Sequence, residues 1–475
     1  MNVVLISTYE LGRQPFGLAS PAAWLRQRGA QVTCLDLSRE SFREESVREA
    51  DLIAFFVPMH TATRLAVELL DPVRELNPNA HLCFYGLYAP VNEGYLRSLG
   101  VQTILGGEFE EGLAHLAERL GGGRGSVEAA SRRQEAEPWR DKPAATGSAQ
   151  PEPLVSLARQ NFIVPDRSGL VPLKQYAHVI LPNGQHKTVG YTEASRGCKH
   201  LCRHCPVVPV YNGTFRIVQR DIVIEDIRQQ VEVGAEHVTF GDADFFNGVG
   251  HALPLVEELH TRWPQLTYDV TIKVEHLLKR AEHLRTLRDT GCLFVTSAVE
   301  SIDDAVLARL DKGHTRADFL AVTELFQEIG LTLHPTFVPF TPWTTLEGYC
   351  ELLSVLAEYD LVENVAPIQL GIRLLITASS RLLELPEVRE MVGPFDEKAL
   401  FYPWRHADPR VDQLAAEVED LVRRGDKFHR TRAQIFSLIW QAAHHAAGLT
   451  DKLEPPELIL LSRAAVPYLN EPWYC

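Results

Sequence analysis

The chain has 475 residues, 45% of them hydrophobic and 23% charged, a profile and length suited to two to four globular domains. Its formal net charge of −15, with no basic segment, excludes non-specific attraction to a phosphate backbone, so nucleic acid is not an expected partner. No apolar run approaches the roughly 20 residues that span a bilayer, so no membrane partner is expected either.

The opening MNVVLISTYELG lacks the basic flank and long apolar core of a secretion signal and reads as a buried strand, which predicts a cytoplasmic protein. Residues 1–120 alternate short apolar runs with amphipathic stretches. Val3–Ser7, Val32–Leu35, Leu52–Val57, His81–Tyr85 and Val101–Leu105 are predicted parallel strands. Ser20 is placed as the N-cap, and Pro21 as the first-turn proline, of a helix that runs to Arg28 and stops at Gly29. This βαβ rhythm predicts a doubly wound α/β open sheet whose ligand crevice lies at the carboxyl ends of its strands. His60, after the third strand, is read as a loop residue. Residues 121–153 are rich in Gly, Ala, Ser, Pro and charge without periodicity, and are predicted to be a disordered linker.

A second β-then-α rhythm occupies residues 154–385. Its strands are predicted at Val189–Ala194, His237–Phe240, Thr267–Lys273, Leu293–Ala298, Leu331–Val338 and Val365–Ile376. Ser301 with Asp304, Thr315 with Asp318, and Thr344 with Glu347 have capping-box spacing. Phe319, Val322, Phe326 and Ile329 recur at helical spacing as a core-facing stripe. Six strand–helix units are too few to close an eight-fold barrel, so a partial (β/α)6 barrel is expected, with its site on the loops after the strands. Residues 386–475 read as a helical C-terminal region, clearest at Val411–Arg423 and Arg432–Ala447.

Eight cysteines are too few for a disulfide framework, and three of them fall within eight residues. Ser195–Pro206 reads SRGCKHLCRHCP, placing Cys198, Cys202 and Cys205 in a CxxxCxxC pattern directly after a predicted strand. Three thiolates on a tight loop can hold three irons of a cubane cluster and leave the fourth iron open to a small chelating ligand. A zinc site is the alternative, with His200 or His204 as fourth ligand. Cys34, Cys83, Cys292 and Cys350 are scattered and read as buried small hydrophobes.

From this motif onward the sequence resembles the radical S-adenosylmethionine (SAM) superfamily, across residues 154–385. The resemblance implies a 4Fe-4S cluster on the three cysteines. SAM would chelate the open iron through its amino and carboxylate groups and be cleaved reductively to a 5′-deoxyadenosyl radical. The family's aromatic residue before the third cysteine is His204 here. FGDADFF (Phe240–Phe246) stands where the superfamily has a Gly-and-acid motif facing the methionine amino group, which makes Gly241, Asp242 and Asp244 SAM candidates. The other reading is a strand-end turn with Asp242 capping the next helix. Glu300, in SAVES, resembles the family's contact to the ribose or methionine end, against a solvated loop acid. Lys273 and Arg373, on predicted strands, could bind carboxylate groups or form structural ion pairs. Lys312–Thr315 (KGHT) also looks like the superfamily and is read as a helix junction.

An open sheet, a linker and this core together resemble the radical SAM proteins with a cobalamin-binding domain. Gly86 in YGLYAP and Gly106–Gly107 in LGGEFEE sit where that family's glycine loops approach the corrin; the same glycines could be strand-end turns. The lower-axial DxHxxG motif is missing, as it is in many radical members. The implied function is modification of an organic substrate, with methyl transfer to an unactivated carbon or phosphorus where cobalamin is bound, and an electron donor such as flavodoxin or ferredoxin as partner. Two alternatives stand beside it. A methylthiotransferase acting on tRNA would need a second cysteine cluster near the N-terminus, where only Cys34 and Cys83 occur, and a small RNA-binding barrel. A non-catalytic iron–sulfur, zinc or electron-transfer protein would not need FGDADFF and SAVES. Finally, NEPWYC ends at Cys475, resembling the first cysteine of a Cys-Cys/Sec-Ala-Glu-Pro tail found in one subgroup. Two readings stand: a UGA codon after Cys475 with in-frame Ala-Glu-Pro codons beyond it, or a genuine terminus at which Cys475 is an incidental thiol.

Overall fold

The structure is a computed structural model and describes residues 1–122, 154–449, 452, 455 and 466–470. The predicted linker beyond Gly122, and Cys475, lie outside those residues. The chain divides into two compact units, residues 1–9 with 15–170, and residues 10–14 with 171–475. Among the described residues no helix is long and apolar enough to cross a membrane.

The first unit is built on a parallel sheet of β1 (Asn2–Ser7), β2 (Gln31–Asp36), β3 (Leu52–Phe56), β4 (His81–Tyr85), β5 (Thr103–Gly107) and β6 (Val155–Ser156), in the order β2-β1-β3-β4-β5-β6. Two apolar clusters, one on Ile53, Phe55 and Phe84 and the other on Leu5, Ala54 and Tyr85, reflect alternate residues of the same strands turned to opposite faces. Burial on both faces is why the strands read as unbroken apolar runs. The order reverses between β1 and β3, which opens a crevice at their carboxyl ends.

The first helix departs from the expected start. It spans Phe16–Gln27 with Pro15 as N-cap, so Pro21 lies inside it. Proline at that position cannot donate to the carbonyl of Gly17 four residues earlier. The Tyr85 hydroxyl donates to that carbonyl instead, at 2.8 Å. Ser20 is not a cap; its hydroxyl meets Glu110 Oε1 at 2.6 Å. The helix after β5, Phe109–Gly122, takes in the first two residues of the predicted linker. His60 opens a helix, His60–Glu68, and is buried.

The second unit is a seven-stranded sheet. Five parallel strands, β8 (His186–Thr192), β11 (His237–Phe240), β12 (Thr267–Thr271), β13 (Cys292–Glu300) and β14 (Thr332–Phe337), lie in that order. β7 (His178–Ile180) and β15 (Tyr468–Leu469) extend the β8 edge in antiparallel fashion. Helices follow each parallel strand, among them Arg220–Glu232, Val249–Arg262, Val274–Lys279, Asp304–Leu310, Arg316–Ile329 and Leu346–Glu358. The stripe Phe319, Val322, Phe326 and Ile329 is buried as read, each side chain contributing about 1.5–3 kcal/mol relative to exposure. The predicted sixth strand does not form. Val365–Ile376 contains Pro367 and Gly371, folds partly as short 3-10 turns, and keeps one parallel bridge, Arg373 to Phe340. Val365, Leu370, Leu374 and Ile376 are buried, but proline removes a ladder donor and the run breaks.

Of the three capping boxes, Thr315 with Asp318 forms as expected. The other two shift by a residue or two. Asp303 caps the helix after β13, and Thr345 the helix after β14. Ser301 instead accepts from Asp303 N, and Thr344 donates to Pro339 O. The C-terminal helices are Pro409–Lys427 and Arg432–Ala446.

Candidate functional site

The carboxyl ends of the parallel strands converge on the cysteine loop. After β8 the chain forms β9 (Ser195–Gly197), paired antiparallel with β10 (Phe215–Ile217), and the loop between them carries all three cysteines. Gly197 holds φ at +77°, and a Cβ there would lie 2.4 Å from the Tyr211 ring and 2.5 Å from Thr214 O. Only glycine turns the chain into Cys198 this tightly. Asn247 clamps the turn, accepting from Lys199 N at 3.2 Å and donating to Gly197 O at 3.4 Å. Farther on, Arg203 donates to the carbonyls of Ala308 and Arg309, and its own N–H to Leu310 O, tying the loop to the end of the Asp304–Leu310 helix.

All three thiols are free, with Cys202 buried and the other two half-buried. Burial pushes Cys205 up to about 12 and raises Cys198, and the neighbouring cysteines push both the same way. Backbone N–H groups of His200 and Val207, and the Asn247 side chain, offset part of this by donating to sulfur. Thiolates at such a place need a bound cation, since metal ligation requires deprotonated sulfur. Among the described residues, His200, Asp244 and His276 bring their ligating atoms within 4.8 Å of one another. His204, the other proposed zinc ligand, turns its Nε2 to Glu300 at 3.1 Å.

Glu300 ends β13 at a register shift with φ of +70°, a conformation that costs a non-glycine residue energy and that its surroundings must hold. It is 7% exposed and lies 3.3 Å from Lys312 Nζ. Burial pushes its carboxyl up, but Lys312 and His204 outweigh that and bring it down to about 2. Lys312, itself 3% exposed, is raised by Glu300 and by the Cys202 and Cys205 sulfurs against the effect of burial. The triad His204–Glu300–Lys312 therefore joins the third-cysteine turn to β13.

The loop after β11 holds the other acids. Asp242 accepts from Ala194 N at 2.9 Å and Ser195 Oγ at 2.5 Å, so both its oxygens brace the strand entering the cysteine loop. Burial lifts its carboxyl to about 7 despite those bonds. It does not cap the next turn; Asp244 does, accepting from Phe246 N. Asp244 is 1% exposed, and although burial alone would raise its carboxyl, His200 and His276 bring it below its ordinary value. Gly241 is needed because a Cβ would fall 1.8 Å from the Tyr191 hydroxyl. Lys273 lies past the end of β12, as N-cap of Val274–Lys279, with Nζ 3.0 Å from His200 Nδ1 and 3.4 Å from Glu275. Arg373 takes the structural ion-pair reading of the two the sequence offers: its guanidinium donates to Asp412 at 2.7 Å and to Trp404 O at 2.9 Å and stacks on the Trp404 ring.

Residues 192–353, the stretch bearing all these elements except Arg373, match the family model of the radical SAM superfamily. This segment is a radical SAM domain. Over 337 residues the chain is 21% identical to hopanoid C-3 methylase of Methylococcus capsulatus, an alignment covering 70% of this chain and 62% of the methylase. The chain thus spans less than two thirds of that relative. It is also 23% identical to a tRNA-2-methylthio-N(6)-dimethylallyladenosine synthase of a Sulfurihydrogenibium species, over 38% of this chain and 43% of the synthase. Among solved structures, the fold is similar to the radical SAM methyltransferase TsrM of Kitasatospora setae with cobalamin and a [4Fe-4S] cluster bound (TM-score 0.56, 18% identity, 76% of this chain and 70% of that one). It is likewise similar to the cobalamin-dependent radical enzyme OxsB with aqua-cobalamin bound (TM-score 0.62, 14% identity, 89% and 67%).

In the radical SAM domain, sequence reasoning missed four partners: Asn247, Glu275, His276 and Lys312. Lys312 was visible only as part of a helix junction, and nothing in the spacing tells that it turns inward onto Glu300. Outside the domain, the glycines assigned to a corrin serve the chain's own packing. A Cβ on Gly106 would meet Pro90 at 2.5 Å, one on Gly107 the Ser156 carbonyl at 2.2 Å, and one on Gly86 the Phe56 ring at 3.0 Å.

Proposed function

We propose that the chain is a radical SAM enzyme of the cobalamin-dependent methyltransferase type, acting in the cytoplasm on an organic substrate and drawing electrons from a flavodoxin- or ferredoxin-like donor. The observation that carries it is the three-thiol loop of Cys198, Cys202 and Cys205, held at the carboxyl ends of a parallel sheet with the carboxylates of Asp244 and Glu300 around it. The cluster, when bound, supplies the electron that cleaves SAM. The chain's own residues do the rest. Gly197 and Asn247 set the loop, and Arg203 anchors its far side. Glu300, kept ionised by Lys312, is an oriented acceptor for ribose hydroxyls or an amino group. Asp242 fixes where the cysteine loop begins.

The cobalamin part rests on the likeness of fold to TsrM and OxsB, which extends over most of the chain, and on the open sheet of the first unit with its crevice at a switch point. Transfer of a methyl group to an unactivated carbon or phosphorus follows from that part. The methylthiotransferase reading is disfavoured: its relatives align over less than half of this chain, and Cys34 and Cys83 are buried in strands. Anaerobic reduction with SAM tests the proposal. 5′-Deoxyadenosine, or S-adenosylhomocysteine for a methylating enzyme, is the expected product; neither product would mark the chain as a non-catalytic carrier.

A further inference from the structure

We propose that His200, Asp244 and His276 form a second metal site, for one divalent transition-metal ion of the zinc class, separate from the cluster. Three segments meet there: the cysteine loop brings His200, the turn after β11 brings Asp244, and the helix Val274–Lys279 brings His276. Asp244 Oδ2 lies 2.7 Å from His276 Nδ1 and 3.6 Å from His200 Nε2, and the two rings are 4.8 Å apart between centroids.

The decisive feature is that these three atoms, Asp244 Oδ2, His200 Nε2 and His276 Nδ1, are each buried and none makes a hydrogen bond. Proximity without hydrogen-bond geometry leaves three buried polar atoms grouped but unsatisfied, an arrangement costly for polar groups removed from water. A cation placed between them satisfies all three. Ligands about 2.0–2.2 Å from a zinc-class ion stand about 3.0–3.6 Å from each other; the two distances to Asp244 lie within a few tenths of an ångström of that range, and the two imidazole nitrogens, within 4.8 Å of one another, close onto the ion by a ring rotation. Two imidazoles and one carboxylate suit zinc or ferrous iron, and three protein ligands leave a position open to water or a substrate heteroatom.

The groups behind the ligands match this role. His200 Nδ1 is 3.5 Å from Glu275 Oε2, the carboxylate that orients a metal-bound imidazole by accepting from its other nitrogen. Lys273 Nζ now stands 3.0 Å from that same Nδ1 and 3.4 Å from Glu275. With an ion on Nε2, the Nδ1 proton is donated to Glu275 and Lys273 keeps Glu275 alone. Asp244 and Glu275 together outweigh Lys273, leaving one negative charge for the ion to neutralise. The competing arrangement is a protonated imidazole on Asp244 with no metal.

The test uses the full chain with its cluster reconstituted anaerobically, exposed to Zn2+, desalted, and analysed for both metals. About one zinc beside about four irons per chain is expected. His276→Ala and Asp244→Asn should retain less than about a tenth as much zinc with iron unchanged. X-ray absorption at the zinc edge of the unsubstituted protein guards against a variant that fails to fold: a shell of nitrogen and oxygen at about 2.0–2.1 Å supports the site, and sulfur at about 2.3 Å overturns it. Four irons with no retained zinc also overturn it, while leaving the radical reading intact; zinc on sulfur without iron would overturn both.

Discussion

Replacing Lys312 by Met tests whether the buried triad holds the cluster loop against β13. The substitution keeps the side-chain length and removes the charge, leaving Glu300, 7% exposed, with His204 as its remaining partner. Lys312 is the strongest of the influences that bring the Glu300 carboxyl from 4.5 down to about 2 against burial. Breaking a buried pair by removing one partner costs about 3–5 kcal/mol. Because the folded value is depressed, this stabilisation is fully present above about pH 4.5 and fades as pH falls toward about 2, so a measurement at neutral pH sees all of it. The assay is anaerobic urea unfolding read by the cluster's visible absorbance, which reports the second unit alone. With a urea slope of about 3 kcal/mol per molar, the midpoint should fall by about 1 M. Glu300→Gln combined with Lys312→Met should recover much of the loss, because no buried charge is then left unpaired. A midpoint shift below about 0.3 M, or a double variant worse than the single one, would refute the triad as a structural tie.

Gly197→Ala should cut the iron content sharply and lower the melting temperature, since it sets a Cβ against Thr214 O at a positive φ; full iron retention would show that the loop tolerates a wider turn. Asp242, whose carboxyl burial lifts to about 7, should make the wild type lose stability as pH rises from about 4 to about 7, and Asp242→Asn should flatten that slope; an unchanged slope over that same range would assign it elsewhere. Hydroxocobalamin should stay with the reconstituted protein through gel filtration, and failure to do so would leave the first unit a structural or substrate-docking role. A bulky residue at Gly107 cannot serve as the control, because it would strike Ser156 O whether or not a corrin binds.

The strands were legible because most are short apolar runs buried on both faces, and the cysteine motif because three like residues at fixed spacing leave few chemistries open. Sequence failed where a distant side chain decided the outcome. No local rule foresees that the Tyr85 hydroxyl supplies the bond Pro21 cannot make, so the helix start was placed five residues late. Val365–Ile376 has the hydrophobicity of a strand, and Pro367 and Gly371 carried too little weight against it. Arg373 was recognised as a carboxylate binder, but its carboxylate belongs to Asp412, 39 residues away. Asp244 was picked out for its charge, yet its two imidazole neighbours come from separate loops that only the folded sheet brings together.

The most direct test of the account is the metal content and colour of anaerobically purified protein beside its Cys198→Ala, Cys202→Ala and Cys205→Ala variants. The account predicts a brown protein with about four cluster irons per chain, and loss of most of the colour in each variant. A colourless protein with a single zinc bound through these sulfurs would contradict it.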